Sequence, residues 1–168
     1  EDGAVLILDR RRYPFEKTFE RCEDVESVAR AIETMVTQGG GPSVAAMYAL
    51  VMEASRLSSH SADDIHAGLK AATLRLMHTR PTNTALHRRL EAALQVAVGA
   101  VKRREPVEAA LLTWIEQRRN QAYADYASTA RYGSDLIADG DGILTMCFAE
   151  TAFILSLNMA WQAGKRIE

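Results

Sequence analysis

Three features of the sequence have residue types and spacing that could do chemistry. The first is Cys147, which stands where a short apolar run, Ile143-Leu144-Thr145-Met146, gives way to a helical pattern from Thr151 to Ala163. The polar turn Asp139-Gly140-Asp141-Gly142 leads into that run. A strand followed by a helix puts such a cysteine at a strand's carboxyl end, where open α/β sheets bind ligands. The positive end of the helix dipole there favours the thiolate, the form that moves protons or attacks carbon. The plainer reading is a small buried cysteine at a packed strand end.

The second feature is the stretch Gln38-Gly39-Gly40-Gly41-Pro42, with Val44, Ala45, Met47, Tyr48, Val51 and Met52 following at helical spacing. Glycines before a helix free the backbone for positive φ and close approach, and the helix start offers N–H groups to an anion. The Lys-Ser/Thr ending of a Walker loop is absent, so a nucleotide P-loop is excluded, and a tight turn between helices is the plainer alternative. The third is Arg80 in Thr79-Arg80-Pro81-Thr82, where the proline ends one helix and Thr82 or Asn83 can cap the next. An arginine at such a junction can reach a phosphate held at a neighbouring helix start, or form a surface ion pair.

The elements that must position these residues follow from periodicity and caps. Ala4–Leu8 and Lys17–Cys22 read as two short strands of a hairpin. Their turn carries Arg10, Arg11 and Arg12, a cluster that could contact a phosphate but reads first as a solvated turn. Asp24 is the predicted cap of a helix through Val36, and Asp63 that of a helix from Ile65 to Met77. Helices over Ala85–Val101 and from about Val107 to Ala130 follow, with Gly133 breaking the last. Trp114, Tyr123, Tyr126 and Tyr132 read as core or subunit-contact residues. The expected fold is mainly α: an N-terminal β-hairpin, a helical bundle, then one strand and one helix.

Composition narrows the partners. The chain has 168 residues, with 48% hydrophobic and 25% charged side chains, as in an ordinary globular domain. A net charge of -2 lacks the basic field of a nucleic-acid binder. No apolar run approaches the roughly 20 residues of a membrane span. Cys22 and Cys147 lie far apart with no CxxC, so we expect free thiols and a cytoplasmic location. The histidines His60, His66, His78 and His87 show no metal-ligand spacing, and neither a metal nor a cofactor is expected.

Taken together, four segments resemble the methylthioribose-1-phosphate isomerase group, which is similar to ribose-1,5-bisphosphate isomerases and to the alpha, beta and delta regulatory subunits of translation initiation factor 2B. They are Leu8-Asp9-Arg10 with Tyr13-Pro14, the loop from Gln38 with Val44-Ala45-Ala46-Met47-Tyr48, Thr79-Arg80-Pro81-Thr82, and Leu144-Thr145-Met146-Cys147-Phe148-Ala149. The resemblance covers nearly the whole chain. It implies a hairpin and helical domain over 1–138 and the start of a Rossmann-like α/β domain over 139–168, the remainder of that domain lying outside this chain. It also implies a homodimer and a phosphorylated sugar substrate. Residues Gln38, Gly39, Gly40, Gly41 and Arg80 would bind the substrate, and Cys147 would be catalytic alongside an aspartate of the α/β domain.

The implied function is the N-terminal part of an aldose–ketose isomerase acting on a sugar 1-phosphate, this segment alone being inactive. The alternative is a non-catalytic subunit resembling those of initiation factor 2B. Gln38 stands where the isomerases have arginine, and Met146, Phe148 and Glu150 replace His, Asn and Gly around the cysteine. These departures leave open which sugar phosphate is bound.

Overall fold

The computed structural model describes residues 3–146 and 150–168. The chain is mainly helical and forms two compact units, Glu1–Ile115 and Glu116–Glu168. In the first, β1 (Val5–Leu8) pairs antiparallel with β2 (Phe19–Cys22) in the register Val5↔Cys22 to Leu8↔Phe19. Helices α1 (Val25–Glu33), α2 (Gly41–Arg56), α3 (Ala62–His78) and α4 (Thr84–Arg103) follow, with the opening turns of α5 (Val107–Leu136). The second unit holds the rest of α5 and α6 (Thr151–Gln162).

A two-stranded hairpin is marginal alone and needs a packed face. Here Ile7 and Cys22 supply that face, both buried in the core of the first unit. Leu50 of α2, Leu69 and Leu76 of α3, Leu86 and Leu90 of α4, and Leu111 and Ile115 of α5 fill the rest and are fully buried. Each such side chain contributes roughly 1.5–3 kcal/mol by leaving water. Cys22 is a free thiol, and burial pushes its pKa up, so it stays protonated and inert.

At nine residues, α1 is too short to be stable by itself and depends on its ends and its packing. Asp24 Oδ1 accepts from the Ser27 N–H at 2.7 Å and Ser27 Oγ accepts from the Asp24 N–H at 3.1 Å, a reciprocal cap. Arg75 of α3 donates to Glu26 and Glu33 of α1, both at 2.7 Å, and holds Glu26 down to about 2. The cap of α1 is the expected Asp24, and of the two candidates for α4 it is Asn83 that caps. For α3 the cap is Ser61, and Asp63 lies in the first turn. Ser61 wins because its oxygen accepts from the Asp64 N–H while its hydroxyl donates to the Asp64 carboxylate at 2.6 Å.

Two further expectations are corrected. Gly133 does not break α5, which continues to Leu136. A Cβ at Gly133 would collide with the Ser156 hydroxyl of α6, so the missing side chain serves close helix packing within the second unit. Nor do residues 143–146 form a strand. An extended run needs a partner along its length, and here pairing stops early. Asp141 makes a parallel bridge with Ile167, and the Ile143 N–H donates to the Glu168 carbonyl at 2.8 Å. Beyond that point Leu144 and Met146 are more than nine-tenths exposed. The bridge closes over α6 as a crossover, the connection that parallel pairing requires.

Candidate functional site

The Gln38–Gly41 loop is built by the way α1 ends. Thr34 is the C-cap, and Met35 takes a left-handed φ of 64°. The Met35 N–H donates to the Ile32 carbonyl at 3.3 Å and the Val36 N–H to that of Ala31 at 2.9 Å. This is a Schellman turn with methionine where glycine is usual, a left-handed residue that costs roughly 1–2 kcal/mol. It turns the chain sharply so that Val36 and Thr37 are buried and Gln38 begins a second turn.

In that second turn the Gly41 N–H donates to the Gln38 carbonyl at 3.1 Å, with Gly39 at φ 61° between them. Of the three glycines, Gly39 is the one whose φ requires glycine. Gly40 is the N-cap of α2, and no side chain caps this helix start. Gly41 is small for a different reason: a Cβ there would overlap Oγ1 of the buried Thr37. Pro42 lies in the first turn, where its missing N–H costs nothing. An uncapped helix start preceded by a glycine turn can hold an anion through its N–H groups and dipole.

Arg80 reaches the end of α1 from the α3–α4 junction. The Thr79 hydroxyl donates to the Leu76 carbonyl at 2.6 Å, and the Asn83 N–H to the Arg80 carbonyl at 3.0 Å, which fixes the junction. The Arg80 guanidinium then donates through Nη2 to the Ile32 carbonyl at 2.8 Å and contacts Met35 Sδ. The first unit therefore places Arg80 on the turn that ends α1, from which the Gln38–Gly41 loop departs. Cys147, the expected catalytic residue, lies outside the described residues, as do Phe148 and Ala149.

Arg10 is a contact that the sequence reading missed. The triplet 10–12 is not simply solvated. Arg11 grips the buried Asp9 with two donors, Nε at 2.8 Å and Nη2 at 2.7 Å, and holds its carboxyl down to about 2. Arg12 pairs with Glu16 at 3.0 Å on the surface. Arg10 turns the other way: its N–H donates to the Val36 carbonyl at 2.9 Å and its Nη1 to the Gln38 carbonyl at 3.2 Å. The signal available in the sequence was the acidic residue Asp9 closing an apolar strand, which needs an arginine partner and so splits the triplet into separate tasks.

A cavity of about 580 Å³ lies elsewhere in the first unit, between β1, α2 and α5. Glu23, Asp24, Glu53 and Glu108 line it together with Arg56, which pairs with Glu53, and the net acidic lining disfavours an anionic sugar. Among the described residues no group of three or more His, Cys, Asp or Glu side chains could hold a metal ion.

A methylthioribose-1-phosphate isomerase of Pelotomaculum thermopropionicum is 32% identical over 99% of the chain and 48% of that protein. One of Syntrophotalea carbinolica is 32% identical over 88% of the chain and 44% of that protein. The chain thus spans about half the length of the curated relatives it matches. Among solved structures, translation initiation factor 2B subunit delta of A. fulgidus superposes with a TM-score of 0.77 at 26% identity, over 100% of this chain and 51% of that one. The 5-methylthioribose 1-phosphate isomerase of Pyrococcus horikoshii gives 0.78 at 22% identity, which shows a shared fold, over 98% of this chain and 49% of that one. The model of the initiation factor 2 subunit family matches residues 40–168, and the chain belongs to that family.

Proposed function

We propose that this chain is the N-terminal part of an aldose–ketose isomerase acting on a sugar 1-phosphate, methylthioribose 1-phosphate or a related phosphorylated pentose. The observation that carries this reading is the placement of Arg80 on the turn that ends α1, from which the glycine loop leads into the uncapped start of α2. A cation near a glycine loop that opens a helix, with the dipole of that helix, supplies the ingredients of a phosphate cradle.

In this reading Gln38, Gly39, Gly40, Gly41 and Arg80 hold the substrate, and Gln38 adds an amide where a cation would otherwise stand. The reaction moves hydrogen between neighbouring carbons with no net oxidation, so it needs proton-moving groups rather than a redox cofactor. Cys147 is one such group, taking a proton as thiolate and returning it as thiol, with a carboxylate of an α/β domain as the second. The parallel bridge Asp141↔Ile167, with α6 between its two residues in the chain, supports residues 139–168 as the start of a Rossmann-like α/β domain, after a helical domain over 1–138.

The same reading makes the protein a cytoplasmic homodimer. No helix among the described residues is long and apolar enough to cross a membrane. Tyr132 and Leu136 of α5, 72% and 86% exposed, offer apolar surface for a second copy.

The test is turnover by the intact protein. Incubation with 5-methylthioribose 1-phosphate and with other pentose 1-phosphates, followed by phosphorus NMR, should show conversion of aldose to ketose for at least one. A folded protein that binds these sugars without converting any would favour the second reading, a regulatory subunit like those of initiation factor 2B. The absence of a loop cation at Gln38 is the observation on that side.

A further inference from the structure

We propose that Arg10 is a positioning residue for the glycine loop, setting which way the peptide between Gln38 and Gly39 faces and so aiming the Gly39 N–H at the bound phosphate. This rests on the reading of the loop as the phosphate site and names the residue that holds it ready.

A trans peptide is planar, with its carbonyl oxygen and its N–H on opposite sides. Whatever fixes the Gln38 carbonyl therefore fixes the Gly39 N–H in the opposite direction. Left alone this peptide is a poor anion donor, because glycine tolerates both positive and negative φ and the unit can rotate at small cost. One orientation shows an anion an N–H; the other shows it a carbonyl oxygen, which repels it. Here the Gln38 carbonyl is held by two donors, the Gly41 N–H at 3.1 Å and Arg10 Nη1 at 3.2 Å. The first closes the turn and is available to any glycine turn of this kind. The second is charged, comes from 28 residues away, and is the stronger type of donor.

The hairpin is built to deliver that guanidinium. The Arg10 N–H donates to the Val36 carbonyl at 2.9 Å, so the Arg10 backbone is tied to the same loop two residues upstream. Its neighbours keep to other tasks: Arg11 is occupied by Asp9, and Arg12 by Glu16. Arg10 thus brings positive charge beside a loop whose own side chain at that place, Gln38, is neutral, and it does so from the carbonyl side without blocking the N–H side.

The experiment compares Arg10→Ala, Arg10→Lys and Arg80→Ala with the unaltered intact protein. Thermal unfolding is followed, together with kcat and KM for the sugar 1-phosphate that the protein converts. The Arg10 N–H to Val36 bond is main-chain and survives in every variant, so the fold should hold. Arg10→Ala should raise KM about tenfold, the effect of one lost charged hydrogen bond, with kcat within about twofold. Arg10→Lys, which can still donate one bond to the Gln38 carbonyl, should recover most of the loss. In isotope-labelled protein, inorganic phosphate should shift the Gly39 amide resonance in the unaltered chain and leave it in place in Arg10→Ala. An unchanged KM and amide shift in Arg10→Ala, with KM raised in Arg80→Ala, would overturn the role of Arg10 alone. Unchanged KM in both variants would overturn the reading of the loop on which it rests.

Discussion

Arg80 donates through Nη2 to the carbonyl of Ile32 at 2.8 Å, across 48 residues of sequence. The arginine of the α3–α4 junction thereby covers the carboxyl end of α1, at the turn from which the glycine loop departs. In the proposed reading it serves both the fold and the site. Arg80→Ala should cost about 1 kcal/mol of stability by leaving a helix-end carbonyl without its donor. It should also weaken sugar-phosphate binding about tenfold or more. Thermal unfolding and calorimetric titration of the same variant read the two effects separately.

Gly41 and Thr37 share one space. Gly41→Ala drives a methyl group into the Thr37 hydroxyl and should destabilise by roughly 1–3 kcal/mol, with the loop displaced. Adding Thr37→Ala opens the space, so the double variant should be less destabilised than the sum of the two single changes. Urea unfolding of the four proteins in this cycle provides the check, and simple additivity would show that the two residues do not press on one another.

The two cysteines should behave oppositely. Cys22 is fully buried with its thiol pKa pushed up by desolvation, so it should resist alkylation until the protein unfolds. Cys22→Ala should lower stability by about 1 kcal/mol and leave turnover intact. Mass spectrometry after iodoacetamide at neutral pH should find the label on Cys147 and not on Cys22.

Acid should weaken the hairpin turn through Asp9. Arg11 lowers the Asp9 carboxyl from 3.8 to about 2 in the folded chain. As pH falls through the ordinary range of a carboxylate, the unfolded chain takes up the proton first, and folding opposes that uptake. The contribution is complete above pH 3.8 and is lost as the pH drops towards 2. Glu26, lowered from 4.5 to about 2 by Arg75 and Arg30, behaves in the same sense. Unfolding midpoints across this acid range should fall more steeply for the unaltered protein than for Asp9→Asn, and parallel curves would refute the assignment.

Local chemistry explains which parts of the molecule could be read in advance. Caps such as Asp24 and Asn83, and a proline in the first turn of α2, act within one helical turn, so the starts of α1, α2 and α4 are legible in the sequence. At Ser61 and Asp63 two competent caps stand close together, and the choice depends on a hydroxyl-to-carboxylate bond that propensity cannot rank. Gly133 looks like a helix breaker because its reason, Ser156 of the following helix, lies in tertiary packing. The apolar run 143–146 looks like a strand because periodicity cannot say whether a partner extends alongside it. In the candidate site, the glycine loop and Arg80 are proposed from residue type and spacing. Arg10 does not, since its value comes from a hydrogen bond to a residue 28 positions away.

The central claim is that the loop and Arg80 hold the phosphate while Cys147 moves the proton, so binding and chemistry should separate. The direct measurement is calorimetric titration of the intact Cys147→Ser protein with the sugar 1-phosphate, alongside its turnover. The account predicts affinity within a few-fold of the unaltered protein and turnover lowered by roughly two to four orders of magnitude, the range of a lost acid–base group. Turnover that survives the substitution, with the protein folded and saturated, would contradict it.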